Sequence, residues 1–204
     1  MKDENSFKFT AVSLCLVFIG VYAYQVFTGF NPGFNTQVSP WWKFFTSIFG
    51  HSDVEHLFNN VFFIGLFGSV FELLTSRRKL LEVFLVSALF ANLSAFFFFQ
   101  GSYLIGASGG GMGILAALAV YRPNKIGLAL GVPLPMWAVL IVYVLINILG
   151  ISANTSVAYE AHLLGLVAGS LMGYGLRERP YLESGGDRED WRERIRKWEE
   201  EWMM

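Results

Sequence analysis

The sequence predicts an all-α, polytopic membrane protein, a bundle of six transmembrane helices, and three observations lead there. First, 54% of its 204 residues are hydrophobic and 15% charged, with mean hydropathy +0.47, more apolar surface than a soluble domain of this size can bury. Second, six apolar stretches approach the length needed to cross a bilayer, at 9–27, 56–74, 80–99, 106–121, 133–150 and 157–176. Third, the basic residues between them alternate in the manner of a topological signal. With an even number of spans both termini share one side. That side holds Lys2, Lys8, Arg77, Arg78, Lys79, Arg122 and Lys125 even without the tail, and the other side holds Lys43 alone. The expectation is a multi-pass protein of the plasma membrane, embedded in the lipid bilayer, with both termini cytoplasmic. A net charge of −1 gives no reason to expect nucleic acid, and the single cysteine, Cys15, has no partner for an internal disulfide.

The first stretch carries a weakly basic leader and no convincing small-x-small cleavage site after Tyr22, so a retained span is expected rather than a signal peptide. The loop that follows, about 28–55, turns at "NPGFN" and then offers Trp41, Trp42, Phe44, Phe45, Ile48 and Phe49, a segment suited to the membrane interface. "TSRRK" separates the second span from the third. The fourth is short: sixteen residues cover only about 24 Å, so its upper end should stop below the outer face, where a water-filled cavity can reach it. Residues 1–176 read as one transmembrane domain. Residues 177–204 read as a charged cytoplasmic tail in which Trp191, Ile195, Trp198 and Trp202 fall at helical spacing.

Polar residues within spans are costly and point to function. Counting from the cytoplasmic charges at 1.5 Å per residue puts Ser108 about 21 Å above Arg122, His162 about 22 Å above Arg177 and Asn60 about 25 Å above Arg77. His56 lies one turn above Asn60 on the same face. Three helices therefore bring polar groups to one layer. Glycines explain how those helices can meet. Gly109, Gly113 and Ala117 form one small-residue row, and Gly165, Gly169 and Gly173 form another. Such rows let transmembrane backbones approach closely, as they must if a short serine side chain is to reach an imidazole on another helix. A histidine can take the serine proton at neutral pH, and Asn60, His56 and the Ser108 backbone N–H could supply donors to a tetrahedral oxyanion. No acid other than Glu160 is near this layer, and Glu160 is expected too high and on another face. The pattern is a Ser108–His162 dyad, with no metal or other cofactor implied.

These residues resemble those of the rhomboid family of intramembrane serine proteases. The matching pieces are Trp42-Lys43, "HSDVEHLFNN" with His51, His56 and Asn60, Glu72 at the end of the second span, "GASG" around Ser108 and "AHLLGLVAG" around His162. They cover roughly residues 41–175. The resemblance implies a six-helix rhomboid-like bundle that cleaves transmembrane segments of other membrane proteins near the outer face. It implies Ser108 as nucleophile, His162 as general base, His56, Asn60 and the Ser108 amide as the oxyanion hole, and structural roles for His51 and Glu72. Two positions depart from the family pattern: Lys43 stands where arginine is common, and Met112 where many members place an aromatic against the histidine. Two other readings compete. A catalytically inactive rhomboid-like protein that binds membrane clients would typically lack the serine or histidine. A transporter would place polar groups at several depths rather than in one layer.

Overall fold

In the computed structural model, residues 9–99, 101, 103–153 and 157–177 are described. The charged tail beyond Arg177, with its expected tryptophan-bearing helix, lies outside them. Helix α1 (Thr10–Thr28) is followed by the loop, a short α2 (Lys43–Thr46) and a 3-10 turn (Ser47–Phe49). Then come α3 (Val54–Leu74), α4 (Arg77–Asn92), the one-turn α5 (Ser94–Phe97), α6 (Ser108–Tyr121), α7 (Met136–Gly150) and α8 (Tyr159–Leu176). Five of the six apolar stretches are each one helix with ends within a few residues of those expected, and the third, 80–99, is divided between α4 and α5. The segments Thr10–Thr28, Val54–Leu74 and Arg77–Phe97 are long and apolar enough to cross a membrane, and α6 and α7 are shorter apolar helices.

Capping sets several of the helix ends. Asp53 is the N-cap of α3, accepting from the His56 N–H at 2.8 Å, and Ser76 caps α4 by accepting from Lys79 N–H at 3.3 Å. Helix α1 is capped from another element. The Glu72 carboxyl, at the end of α3 and only 4% exposed, accepts from Thr10 N–H at 2.9 and 3.2 Å and from Ala11 N–H at 3.2 Å. Three buried donor–acceptor contacts answer orphan groups of the first turn and favour a carboxyl group at the positive end of the helix. At its other end α1 stops in a left-handed Gly29.

Helix α6 is central. Ten of its fourteen residues are buried, and it packs most extensively on α8, then on α4, α3 and α7. Its glycines face different neighbours: a Cβ at Gly110 would strike the Phe84 ring of α4, and one at Gly111 would press on Ile64 and Phe63 of α3. The two small-residue rows pair off along the α6–α8 seam, backbone on backbone. A Cβ at Gly165 would collide with Gly109, one at Gly169 with Gly113, and one at Gly173 with Ala117. The outward faces are apolar, with Leu16, Val17 and Phe27 of α1, Leu145 and Leu149 of α7, and Val167 and Leu171 of α8 all exposed. Such surfaces suit lipid as the surrounding solvent.

One element was not expected. Residues Ile126–Ala129 and Val132–Pro135 form an antiparallel hairpin between α6 and α7. Its two-residue turn has Leu130 at φ +51° and Gly131 at φ +81°, both positive as a type I′ turn requires. Pro133 and Pro135 pair with Leu128 and Ile126. Counting from the pair that flanks the turn, both prolines fall in non-hydrogen-bonded pairs, where a missing N–H is harmless.

Candidate active site

Ser108 is the first residue of α6, at the helix end whose N–H groups have no intrahelical partner and carry partial positive charge. His162 is one turn into α8. Its Nε2 lies 2.7 Å from Ser108 Oγ, the separation of a nucleophile from its base. The close α6–α8 seam makes this possible, since Gly109 and Gly165 meet one turn from the pair. The other face of the imidazole is also engaged: Nδ1 lies 2.8 Å from Asn147 Oδ1 on α7, and the ring meets Tyr159 edge-on at 6.2 Å and 81°.

The approach to Ser108 is built from the first loop. Phe34 and Leu104 exchange backbone hydrogen bonds at 2.9 and 2.8 Å, and Gly106 N–H donates to Ser47 O at 3.0 Å. The loop is in turn tied to α4 by Asn92, whose Nδ2 donates to Phe44 O at 2.6 Å and to Ser47 Oγ at 3.0 Å. Gly106, at φ +127°, is a position for glycine on two counts: its backbone conformation disfavours a side chain, and a Cβ would come within 2.6–2.7 Å of the His56 ring. The loop's aromatics divide as an interfacial segment would. Phe44 packs on Phe34 and Phe96, while Trp41 is 77% exposed. Lys43 donates to Asn31 O at 2.6 Å and lies near the rings of Phe30 and Trp42, which are stacked.

His56 and Asn60 join the same site from α3. Asn60 donates from Nδ2 to His56 O at 3.1 Å, leaving its second N–H for another acceptor. His56 Nδ1 is 3.0 Å from Ser52 Oγ, which also reaches Asp53 Oδ2 at 2.7 Å. Ser108, His162, His56, Asn60 and Met112 all line one cavity of about 960 Å³, together with Asn31 and Ser52 of the first loop and Glu55 at the start of α3. Glu160 is not among its lining. No group of three or more metal-ligating side chains occurs among the described residues.

His51 supports the site from behind. Its backbone is held to α1 by Gln25, which donates to His51 O at 2.9 Å and accepts from His51 N–H at 3.0 Å. The ring is 1% exposed, packed edge-on against Phe18 and His56, and neither nitrogen has a hydrogen-bond partner among the described residues. Burial, and then the neighbouring His56, push its pKa down from 6.5 to about 4, so it is a neutral packing residue at pH 7.

Ser108, His162, His56 and Asn60, expected in one layer, line one cavity. Asn147, Ser52 and Gln25 were not among the expected residues. Asn147 had a legible signal: it is the one amide in the apolar run "MWAVLIVYVLINILG". Ser52 lies in a loop, where polar residues carry no such signal, and Gln25 lies in the last turn of α1, close enough to the helix end for an amide to be unremarkable.

The Rhomboid domain family matches residues 38–179. A Bacillus subtilis (strain 168) protein named "Putative rhomboid protease YdcA" is 27% identical over 154 residues, which span 72% of each chain. A serine and a histidine from two helices within hydrogen-bonding distance, at the heart of an apolar helical bundle, agree with that match, and the chain belongs to the rhomboid family of membrane serine proteases.

Proposed function

We propose that this chain is an intramembrane endopeptidase that cuts transmembrane segments of other membrane proteins near the outer face, with six spans, both termini in the cytoplasm and the plasma membrane as its location. Residues 1–176 form the protease domain and 177–204 a separate charged tail. Ser108 is the nucleophile and His162 the general base. The observation that carries this assignment is the 2.7 Å contact between Ser108 Oγ and His162 Nε2.

In the reaction Ser108 Oγ attacks the scissile carbonyl carbon as its proton passes to His162 Nε2. The carbonyl oxygen becomes an oxyanion, stabilised by the Ser108 backbone N–H, the free N–H of Asn60 and the His56 ring. Collapse of the tetrahedral intermediate breaks the C–N bond, and the imidazolium returns its proton to the departing amine. Water then repeats the sequence on the acyl-serine ester, releasing the second product and free Ser108. A regular helix hides its carbonyls in hydrogen bonds, so substrates should unwind locally, aided by glycine or proline near the cut.

The test is cleavage of a reporter transmembrane substrate by purified protein in proteoliposomes. Ser108→Ala and His162→Ala should each abolish turnover while keeping the wild-type melting temperature, and a mechanism-based serine reagent should label Ser108 only when His162 is present. Turnover by a folded Ser108→Ala protein would refute the assignment.

A further inference from the structure

Building on the dyad reading, we propose that Asn147 is the positioning residue of the site: its side-chain amide dictates which nitrogen of His162 bears the proton, leaving Nε2 free to accept from Ser108. Asn147 is 1% exposed near the outer end of a helix that is otherwise almost wholly apolar, a costly place for an amide unless both its ends are paired. Both are. Nδ2 lies 2.7 Å from Tyr143 O and Oδ1 lies 2.8 Å from His162 Nδ1.

These contacts leave no choice of polarity. A backbone carbonyl only accepts hydrogen bonds, so the NH₂ end of the amide must face Tyr143 and the oxygen end must face the ring. An amide oxygen also only accepts, so His162 Nδ1 must carry a hydrogen. A neutral imidazole has one such hydrogen. With it on Nδ1, the Nε2 lone pair points at Ser108 Oγ, and the hydroxyl donates across the 2.7 Å contact. Turning the amide over would set two acceptors against each other at Tyr143, so the orientation is locked from the backbone of α7 outward.

The arrangement also suits the charged intermediate. When Nε2 gains the serine proton, the Nδ1–H stays on Asn147 Oδ1. The imidazolium is then steadied by a dipole rather than by a second buried charge, whose desolvation would be expensive. Asn147 itself does not line the cavity, so it acts through His162 and not on substrate.

The full-length protein tests this in three forms: wild type, Asn147→Leu, which is near-isosteric and has no acceptor, and Asn147→Asp, whose carboxyl, protonated toward Tyr143 O, keeps an acceptor oxygen facing the ring. Loss of one hydrogen bond of ordinary net strength should lower kcat about tenfold in Asn147→Leu, with KM within about twofold, and Asn147→Asp should recover most of it. Nitrogen-15 NMR of histidine-labelled protein, assigned against His162→Ala, should show the Nδ1–H tautomer at His162 in wild type and Asn147→Asp and a mixture in Asn147→Leu. If Asn147→Leu does not fold, Asn147→Ala is read in the same way. Wild-type kcat and an unchanged tautomer in Asn147→Leu, beside an inactive His162→Ala, would overturn the role of Asn147 while leaving the dyad standing. Activity in a folded His162→Ala would overturn the dyad and the proposal with it.

Discussion

Replacing Gly169 by alanine adds one methyl group seven residues, about 10 Å along α8, from His162. Built on the existing backbone, the new Cβ overlaps the Gly113 carbonyl oxygen and lies 2.5 and 2.6 Å from its Cα and carbonyl carbon. Carbon atoms rest at about 3.5–4.0 Å, and the opposing atoms are backbone, which cannot rotate aside. The helices must separate by about 1 Å. If α8 moves as a rigid body, the Ser108–His162 contact stretches from 2.7 Å to about 3.7 Å, beyond hydrogen-bond reach. A displacement of about 1 Å in a reacting group lowers turnover by roughly 10², and overpacking at the seam destabilises the fold by about 1–3 kcal/mol. The assay is cleavage of a reporter transmembrane substrate in proteoliposomes, with melting temperature measured in parallel. Gly20→Ala is the control: none of the described residues lies within 4 Å of its added Cβ, and it should leave turnover unchanged with stability equal or up to about 1 kcal/mol higher. Wild-type turnover in Gly169→Ala would show that the seam does not set the catalytic distance.

Two further outcomes are expected. Asn60→Ala should reduce kcat by roughly 10²–10³, the usual loss for one oxyanion donor, with substrate binding little changed; undiminished kcat in the folded variant would remove Asn60 from the chemistry. His51 sets an acid limit on stability. Its folded pKa of about 4 lies below the 6.5 of an unperturbed histidine, so in this window the unfolded chain binds the proton and the fold does not. Stability should therefore fall as pH drops from 6.5 toward 4, by at most about 3 kcal/mol from this group. Melting curves of wild type and His51→Leu across that range should diverge, the variant being flatter, and parallel curves would refute the assignment.

The parts of this molecule legible in its sequence are those the bilayer constrains. A membrane helix must be apolar over a set length, so the apolar helices could be located, and a polar side chain inside one stands out, so Ser108, His162 and Asn60 could be picked out. The glycine rows were legible because nothing but close backbone approach accounts for their spacing. The start of α6 was less so. The apolar run begins at 106, but the helix begins at Ser108, which makes the serine the first helical residue rather than the third. The hairpin was hidden because two prolines within four residues argue against a strand, and only the pairing register makes them harmless. Asn147 was missed because it faces the histidine's far side, a contact that depends on how α7 and α8 are rotated about their axes. Linear spacing carries depth but not that rotation. Met112, which departs from the family pattern, lines the same cavity as His162.

The clasp between Glu72 and the start of α1 bears on the order in which the chain is assembled. The two partners are 62 residues apart, and the ribosome delivers the N-terminal one first. At about 5–20 residues per second, α1 exists for roughly 3–12 s with the N–H groups of Thr10 and Ala11 still waiting for their acceptor. Its docking on α3 is thereby tied to the moment the far end of α3 emerges. The dependence is mutual, since a chain lacking α1 would complete α3 with a carboxyl group turned inward and nothing to receive it. Synthesis in one direction thus makes both halves of this joint available before α6 and α8 exist to bring the serine and histidine together.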